Sequence, residues 1–270
     1  MTDSNVSFVG SIPEFYDRHL GPVLFRPYGE DLVGRLVLSE GCRVLELAGG
    51  TGIVTHLLLE RLPRTGRLTA TDLNEPMLAH AKKRVPADER LTWRQADATE
   101  LPFPTASFDL VVCQFGVMFF PDKPAAVREA RRVLRSGGLF AFNVWDALAR
   151  NPFGQTAHQT IARFFPVDPP TFYQVPFGFS DPEAIRDLLS GNGFTTIDVA
   201  HVALEVEAVS ARHLAVGLVE GNPISVAIRE RGGVEPEVVI DAVADALAPG
   251  AMDSPLKVRM RALAVTARAA

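Results

Sequence analysis

Val44-Leu45-Glu46-Leu47-Ala48-Gly49-Gly50-Thr51-Gly52 is the stretch on which the chain turns. Arg43 to Leu47 is apolar and β-prone except for Glu46, and reads as a short buried strand. Gly49, Gly50 and Gly52 take side chains away where the backbone must turn tightly or approach a ligand. Ile53 to Leu62 then follows with helical spacing. A helix that opens from such a turn offers free N–H groups and a partial positive charge to an anionic group. Glu46 adds a second demand, because an acid beside the turn suits a ligand with an amino group or another positive centre. The pyrophosphate fingerprint G-x-G-x-x-G does not fit, since position 48 is Ala and the third residue after Gly50 is Ile53. The lysine of a nucleoside-triphosphate loop is missing too. Taken alone, the glycines also describe a plain strand-to-helix turn.

Further strands follow at regular intervals. Arg67 to Thr71 reads as the second and ends in Asp72, 20 residues beyond Gly52. A carboxylate there is placed to accept hydrogen bonds from a ribose diol, or simply to cap the helix that Asn74, Glu75 and Pro76 begin. Leu91 to Gln95 is the third strand, followed by Asp97-Ala98. Leu110 to Cys113 is the fourth, leaving through Gln114-Phe115-Gly116. An amphipathic helix over 122–134 stops at Gly137-Gly138, and Leu139 to Trp145 is the fifth strand. Strands alternating with helices require a mostly parallel sheet with right-handed crossovers, whose ligands sit beyond the strand C-termini. Glu46, Asp72, Asp97 and Gln114 all lie at strand C-termini, so a single pocket is expected.

The order acid-x-(Gly/Ala)-x-Gly-x-Gly at 46–52 resembles the class I S-adenosylmethionine-dependent methyltransferases, with Ala48 where Gly is more usual. Leu101-Pro102-Phe103, Ser107-Phe108-Asp109 and the corner Val133-Leu134-Arg135-Ser136-Gly137-Gly138-Leu139 resemble its ubiquinone/menaquinone-biosynthesis-like branch, whose members mostly methylate small molecules. The resemblance spans 42–146. It implies an α/β, Rossmann-like fold: a seven-stranded, mostly parallel sheet with helices on both faces, an antiparallel last strand and helical lid insertions. It implies S-adenosyl-L-methionine as cofactor. Glu46, Ala48, Gly49, Gly50 and Gly52 would surround it at the turn, Asp72 its ribose, and Asp97 and Ala98 its adenine. Leu73, Met77 and Gln114 complete that set, and Tyr16 would reach the carboxylate from an N-terminal cover. The strand-four exit has no proline pair, which argues against nucleobase or glutamine amides as acceptors, and no double-glutamate hairpin is visible. A small, hydrophobic or aromatic acceptor is expected, methylated by in-line displacement.

The rest of the chain is read as part of one domain, 1–270. Residues 1–40 form a loose tail and a helical cover, Ser11 to Leu20 and Pro22 to Leu38, broken at Gly21. The cofactor-binding core is 41–146. A proline- and phenylalanine-rich lid occupies 147–180, and 181–270 completes the sheet around a helical insertion at 208–255. In that last part a helix is expected over 181–192, strands over 195–206 and 257–266, and a helical break at Gly221-Asn222-Pro223. Phe115, Met118, Phe119, Trp145 and Phe153 are expected to wall an apolar acceptor pocket.

Bulk properties narrow the alternatives. A 270-residue chain that is 47% hydrophobic can bury a sizeable core. A net charge of −5 with no basic run argues against nucleic acid as partner. Cys42 and Cys113 sit in apolar strand contexts, as in a reduced cytoplasmic protein, and the N-terminus shows no signal-peptide pattern. No apolar run approaches the roughly 20 residues of a membrane span. The six histidines form no metal-binding spacing, so no metal is expected. His19 in the cover and His158 in the lid are the candidate general bases. A monomer or a homodimer is compatible with this sequence. Two other readings stay open: a protein that binds the cofactor without methyl transfer, and a nicotinamide-dependent oxidoreductase.

Overall fold

A computed structural model describes Phe8 and residues 10–270. The expected tail at 1–10 falls almost wholly outside them. The chain enters through a helical turn α1 (Ile12–Phe15), a π-helical stretch (Tyr16–Phe25) and α2 (Arg26–Gly34). Then come β1 (Arg43–Glu46), α3 (Ile53–Arg61), β2 (Arg67–Asp72), α4 (Glu75–Arg84), β3 (Leu91–Gln95) and β4 (Phe108–Gln114). Next are α5 (Lys123–Val133), β5 (Leu134–Trp145), α6 (Pro152–Phe164), α7 (Pro182–Ser190) and β6 (Phe194–Ala208). The chain ends with α8 (Ala211–Glu220), α9 (Ile224–Arg231), α10 (Pro236–Leu247) and β7 (Leu256–Ala269).

The seven strands form one sheet in the order β3-β2-β1-β4-β5-β7-β6. The first five run parallel, and β7 is antiparallel to both of its neighbours. This is the expected fold class. The alternation of side chains along β4 shows why both faces are covered. Val111 and Cys113 pack with Val127 and Ala130 of α5 and Ile185 of α7. Leu110 and Val112, pointing the other way, pack with Leu32 of α2 and Val54 and Leu58 of α3. Burying each of these valine, leucine and isoleucine side chains contributes roughly 1.5–3 kcal/mol.

Several boundaries differ from the sequence reading, each for a physical reason. The cover is not two helices broken at Gly21. It is one continuous helical path, in which the Arg26 N–H reaches back to the Gly21 carbonyl and Pro22 sits inside the widened π stretch. Strand five starts at Leu134 rather than Leu139, because Leu134 pairs with Phe108 and the ladder then shifts register. Gly137, at φ +74°, therefore lies within this irregular strand instead of ending a helix. Strands six and seven run longer than expected because they pair with each other from Phe194↔Ala269 to Ala208↔Leu256. The proline-rich lid contains a regular 13-residue helix, α6, with Pro152 in its first turn.

Candidate functional site

The site is assembled where β1, β2 and β4 end. Glu46, the last residue of β1, is buried, and its carboxylate accepts the Thr55 hydroxyl hydrogen from α3 at 2.6 Å. Burial pushes its pKa up to about 8, with the neighbouring charge of Asp72 adding to the rise and the Thr55 hydrogen bond opposing it. The turn then runs through left-handed backbone at Ala48 (φ +52°), Gly50 (φ +56°) and Gly52 (φ +84°). Ala48 carries a side chain in that region, and its methyl lies against Gly116, where an added methyl would come within 2.5 Å. A Cβ on Gly52 would sit 2.7 Å from Val85, so glycine is required there by packing as well as by φ. The turn is tied to β2 by Gly49 N–H to the Thr71 carbonyl (2.8 Å) and Gly50 N–H to the Asp72 carboxylate (2.9 Å). No side chain caps the first turn of α3.

Asp72 also accepts the Asn74 N–H at 2.8 Å, and burial raises its pKa against the pull of these bonds. Beyond it, Leu73 is exposed and Met77 is buried on α4. Asp97 holds the Thr99 N–H and hydroxyl on one oxygen, 2.8 and 2.7 Å away, beside half-buried Ala98. At the β4 exit the Gln114 amide donates to the Phe25 carbonyl at 2.6 Å, while its Oε1 is buried without a partner. Glu46, Ala48, Gly49, Gly50, Gln114 and Tyr16 line one cleft, whereas Gly52, Asp72, Leu73, Met77, Asp97 and Ala98 lie outside its lining, so the single pocket expected from the strand ends is only partly formed.

The cover closes this cleft from above. Tyr16 stacks on Phe25, with ring centroids 4.4 Å apart. Burial, with Asp72 and Asp17 nearby, pushes the Tyr16 hydroxyl well above its ordinary range, so it stays protonated. Asp17, the next residue, accepts the Thr51 hydroxyl (3.4 Å) and pairs with His80 (3.1 Å) and with Arg84. It thereby fastens the cover to the glycine turn and to α4. The sequence marked neither Asp17 nor the pairing of His80, which reads there as helix surface.

Behind Tyr16 and Phe25 lies an aromatic cavity. Phe115, Met118, Phe119, Trp145 and Phe153 all line it, as the sequence suggested. Phe115 and Trp145 stack at 4.1 Å, with Phe115 held at φ +49°. Sequence reasoning missed the contributions of the cover (Leu20, Leu24, Phe25) and of Asn222 at the α8–α9 break. The candidate bases lie elsewhere. His19 turns toward α8, where its Nδ1 is 3.2 Å from the His213 carbonyl and the two rings are 4.2 Å apart. Burial, reinforced by His213, lowers its pKa. His158 packs 6.3 Å from the Tyr173 ring, with Nδ1 buried and unpartnered. Neither ring lines the cleft or the cavity. Among the described residues no cluster of three or more His, Cys, Asp or Glu could hold a metal, and no helix is long and apolar enough to cross a membrane.

Comparison with known proteins agrees with this architecture. Residues 45–142 match a family described as a methyltransferase domain. Over 106 residues the chain is 42% identical to the ubiquinone/menaquinone biosynthesis C-methyltransferase UbiE of Paracoccus denitrificans, covering 38% of this chain and 42% of that protein. It is 36% identical over 114 residues to the mitochondrial 2-methoxy-6-polyprenyl-1,4-benzoquinol methylase of Caenorhabditis elegans, covering 40% of each. These matches span less than half the length of the relatives. Among solved structures, phosphoethanolamine N-methyltransferase 2 of Haemonchus contortus, in complex with S-adenosyl-L-methionine, superposes with a TM-score of 0.58 at 18% identity, over 97% of this chain and 61% of that one. Residues 45–142 thus match a methyltransferase-domain family and resemble ubiquinone/menaquinone biosynthesis C-methyltransferases, and the chain shares the fold of the solved methyltransferase it superposes on.

Proposed function

We propose that the chain is an S-adenosylmethionine-dependent methyltransferase whose acceptor is a small, hydrophobic or aromatic molecule. One observation carries this reading: Tyr16 and Phe25 wall both the glycine-turn cleft and the aromatic cavity. A molecule in either space would touch the same two rings.

The residues of the cleft and those flanking it fit such a cofactor. Glu46 is a buried carboxylate whose hydrogen-bond partner is a hydroxyl rather than a cation, which suits an ammonium group. The uncapped start of α3 and the Tyr16 hydroxyl suit a carboxylate. Asp72 keeps lone pairs for a ribose diol. Asp97 keeps one oxygen, and Ala98 its N–H, for adenine. Gly49, Gly50 and Gly52 let the backbone approach, with Ala48, Leu73, Met77 and Gln114 completing the enclosure. When bound, the sulfonium supplies a methyl group already activated for displacement.

What the chain adds is orientation and exclusion of water. Orientation can supply about 7–11 kcal/mol of a barrier in good cases. Among the described residues the cavity walls carry no carboxylate, lysine, arginine or histidine, so we assign no general base. Thermal unfolding with S-adenosylmethionine, S-adenosylhomocysteine and NAD tests the reading. At about 100 times its dissociation constant a ligand adds about 2.7 kcal/mol. For a domain of this size that is a rise of roughly 5–10 °C. A rise with both sulfur ligands and none with NAD is expected. No rise with the sulfur ligands sinks the proposal. Binding without methyl transfer to any apolar acceptor would leave a cofactor-binding protein.

A further inference from the structure

The Gly221-Asn222-Pro223 break does more than separate two helices. α8 ends there, and its last-turn carbonyls need donors. Asn222 Nδ2 donates to the carbonyls of Gly217 (3.3 Å) and Leu218 (3.2 Å). The Tyr173 hydroxyl, arriving from the lid, donates to the same Leu218 carbonyl at 2.8 Å. Both side chains are buried, and both line the aromatic cavity. Their hydrogens are therefore spent on α8. Asn222 Oδ1 receives no donor among the described residues, and the Tyr173 oxygen retains its lone pairs. The amide orientation follows from chemistry, because turning it over would point Oδ1 at two carbonyl oxygens.

The corner formed by Asn222 and Tyr173 thus presents acceptors, whereas the other polar groups of the lining, the Tyr16 hydroxyl and the Trp145 indole N–H, are donors. The turn also packs close to the cover, since a Cβ on Gly221 would lie 3.0 Å from the Tyr16 backbone nitrogen. The corner is therefore next to the wall shared with the cofactor cleft. With no charged side chain among the described lining residues, an ionised ligand would be desolvated without a partner from them.

We propose that Asn222 and Tyr173 are specificity-determining residues, which select a neutral, apolar ligand carrying one O–H or N–H donor and fix its orientation in the cavity. This rests on the methyltransferase reading of the same site. A ligand without the donor would leave the buried acceptors unpaired, and a site built to bond a hydroxyl rejects the analogue lacking it.

Calorimetric titration with 4-tert-butylphenol and its methyl ether, in the presence of S-adenosylhomocysteine, tests the proposal. The wild-type protein is expected to bind the phenol about tenfold more tightly than the ether. The preference should fall toward unity in Asn222→Leu and shrink in Tyr173→Phe, with ether binding unchanged. A helix-capping role alone would not move this ratio. Should Asn222→Leu fail to fold, the wild-type ratio and Tyr173→Phe still decide. Equal affinities in the wild-type protein, or a preference untouched by the variants, overturn the proposal. If S-adenosylhomocysteine binds but neither probe does, the proposal falls while the cofactor reading stands. Loss of S-adenosylhomocysteine binding itself would instead remove the underlying methyltransferase reading.

Discussion

The Thr55 hydroxyl donates to the Glu46 carboxylate at 2.6 Å, and this bond lies in the floor of the glycine turn, closed off from water. The pair explains how an acid can end a buried strand. It also sets a pH dependence. Burial lifts Glu46 from its ordinary value of 4.5 to about 8, so the folded chain holds a proton that the unfolded chain has released. The associated stability is full below pH 4.5 and is lost as pH rises toward 8, at about 1.4 kcal/mol per pH unit. Asp72, shifted in the same direction, adds to the fall. A cationic ligand group prefers ionised Glu46, so binding releases the proton and tightens with pH. We expect S-adenosylhomocysteine affinity to increase between pH 6.5 and 8, and Glu46→Gln to flatten both this rise and the loss of stability. Identical profiles in the two proteins would remove Glu46 from the argument.

Asp72 uses both carboxylate oxygens to hold backbone N–H groups beside the cleft. One accepts the Gly50 N–H and the other the Asn74 N–H. An asparagine can accept only one of these bonds and must turn its amide against the other N–H. Asp72→Asn should therefore cost about 1–3 kcal/mol of stability before any ligand is added. It should also weaken S-adenosylhomocysteine binding, because its amide offers a ribose hydroxyl fewer lone pairs. Denaturant midpoints of the unliganded proteins and calorimetric titrations report the two effects separately. Wild-type stability in Asp72→Asn would show that the turn does not depend on these bonds.

The strand ends were legible because their signals are local. Glu46, the glycine turn and Asp72 belong to neighbouring strands whose spacing is set by one helix, and the sequence places them together. Gly137-Gly138 misled for the opposite reason. The pair looks like a helix stop, but pairing of Leu134 with Phe108 across the sheet draws it into β5. The cover was least legible. Phe25 becomes a cavity wall through its backbone bond to Gln114, 89 positions away, and His80 leaves the role of helix surface only by meeting Asp17, 63 positions away. Helical periodicity carries no information about either partner. Asn222 was visible as a helix break, but its role depends on which carbonyls consume its hydrogens.

Gly116, at the β4 exit, leaves no room for a side chain beside Ala48 of the glycine turn. A methyl on Gly116 would lie 2.5 Å from the Ala48 Cβ in the glycine turn and 2.7 Å from the Cys113 sulfur in β4. Gly116→Ala is expected to destabilise by about 1–3 kcal/mol, as overpacking does, and to loosen cofactor binding by shifting the turn. Adding Ala48→Gly should recover part of the loss, leaving the overlap with Cys113. A chemical-denaturation cycle over the four proteins measures the coupling, and strict additivity would mean that the two loops do not communicate through this contact.

Asp17 fastens the cover to the glycine turn and to α4. Its carboxylate takes the Thr51 hydroxyl on the glycine turn and pairs with His80 and Arg84 on α4. The carboxylate side chain is only 16% exposed, so solvent and salt screen these contacts less than they would a surface pair. Asp17→Ala cuts all three ties but touches neither Glu46 nor Asp72. Tyr16, one residue away, would then hold its place mainly by stacking on Phe25. We expect S-adenosylhomocysteine to leave about 5–10 times faster, the equivalent of one charge-assisted bond, with a much smaller change in the stability of the unliganded protein. Stopped-flow displacement reads the rate, and thermal unfolding checks the fold. An unchanged dissociation rate would mean that the cover stays closed on its apolar contacts alone. A rate that rises only together with a collapse in stability would make Asp17 a structural tie rather than a latch.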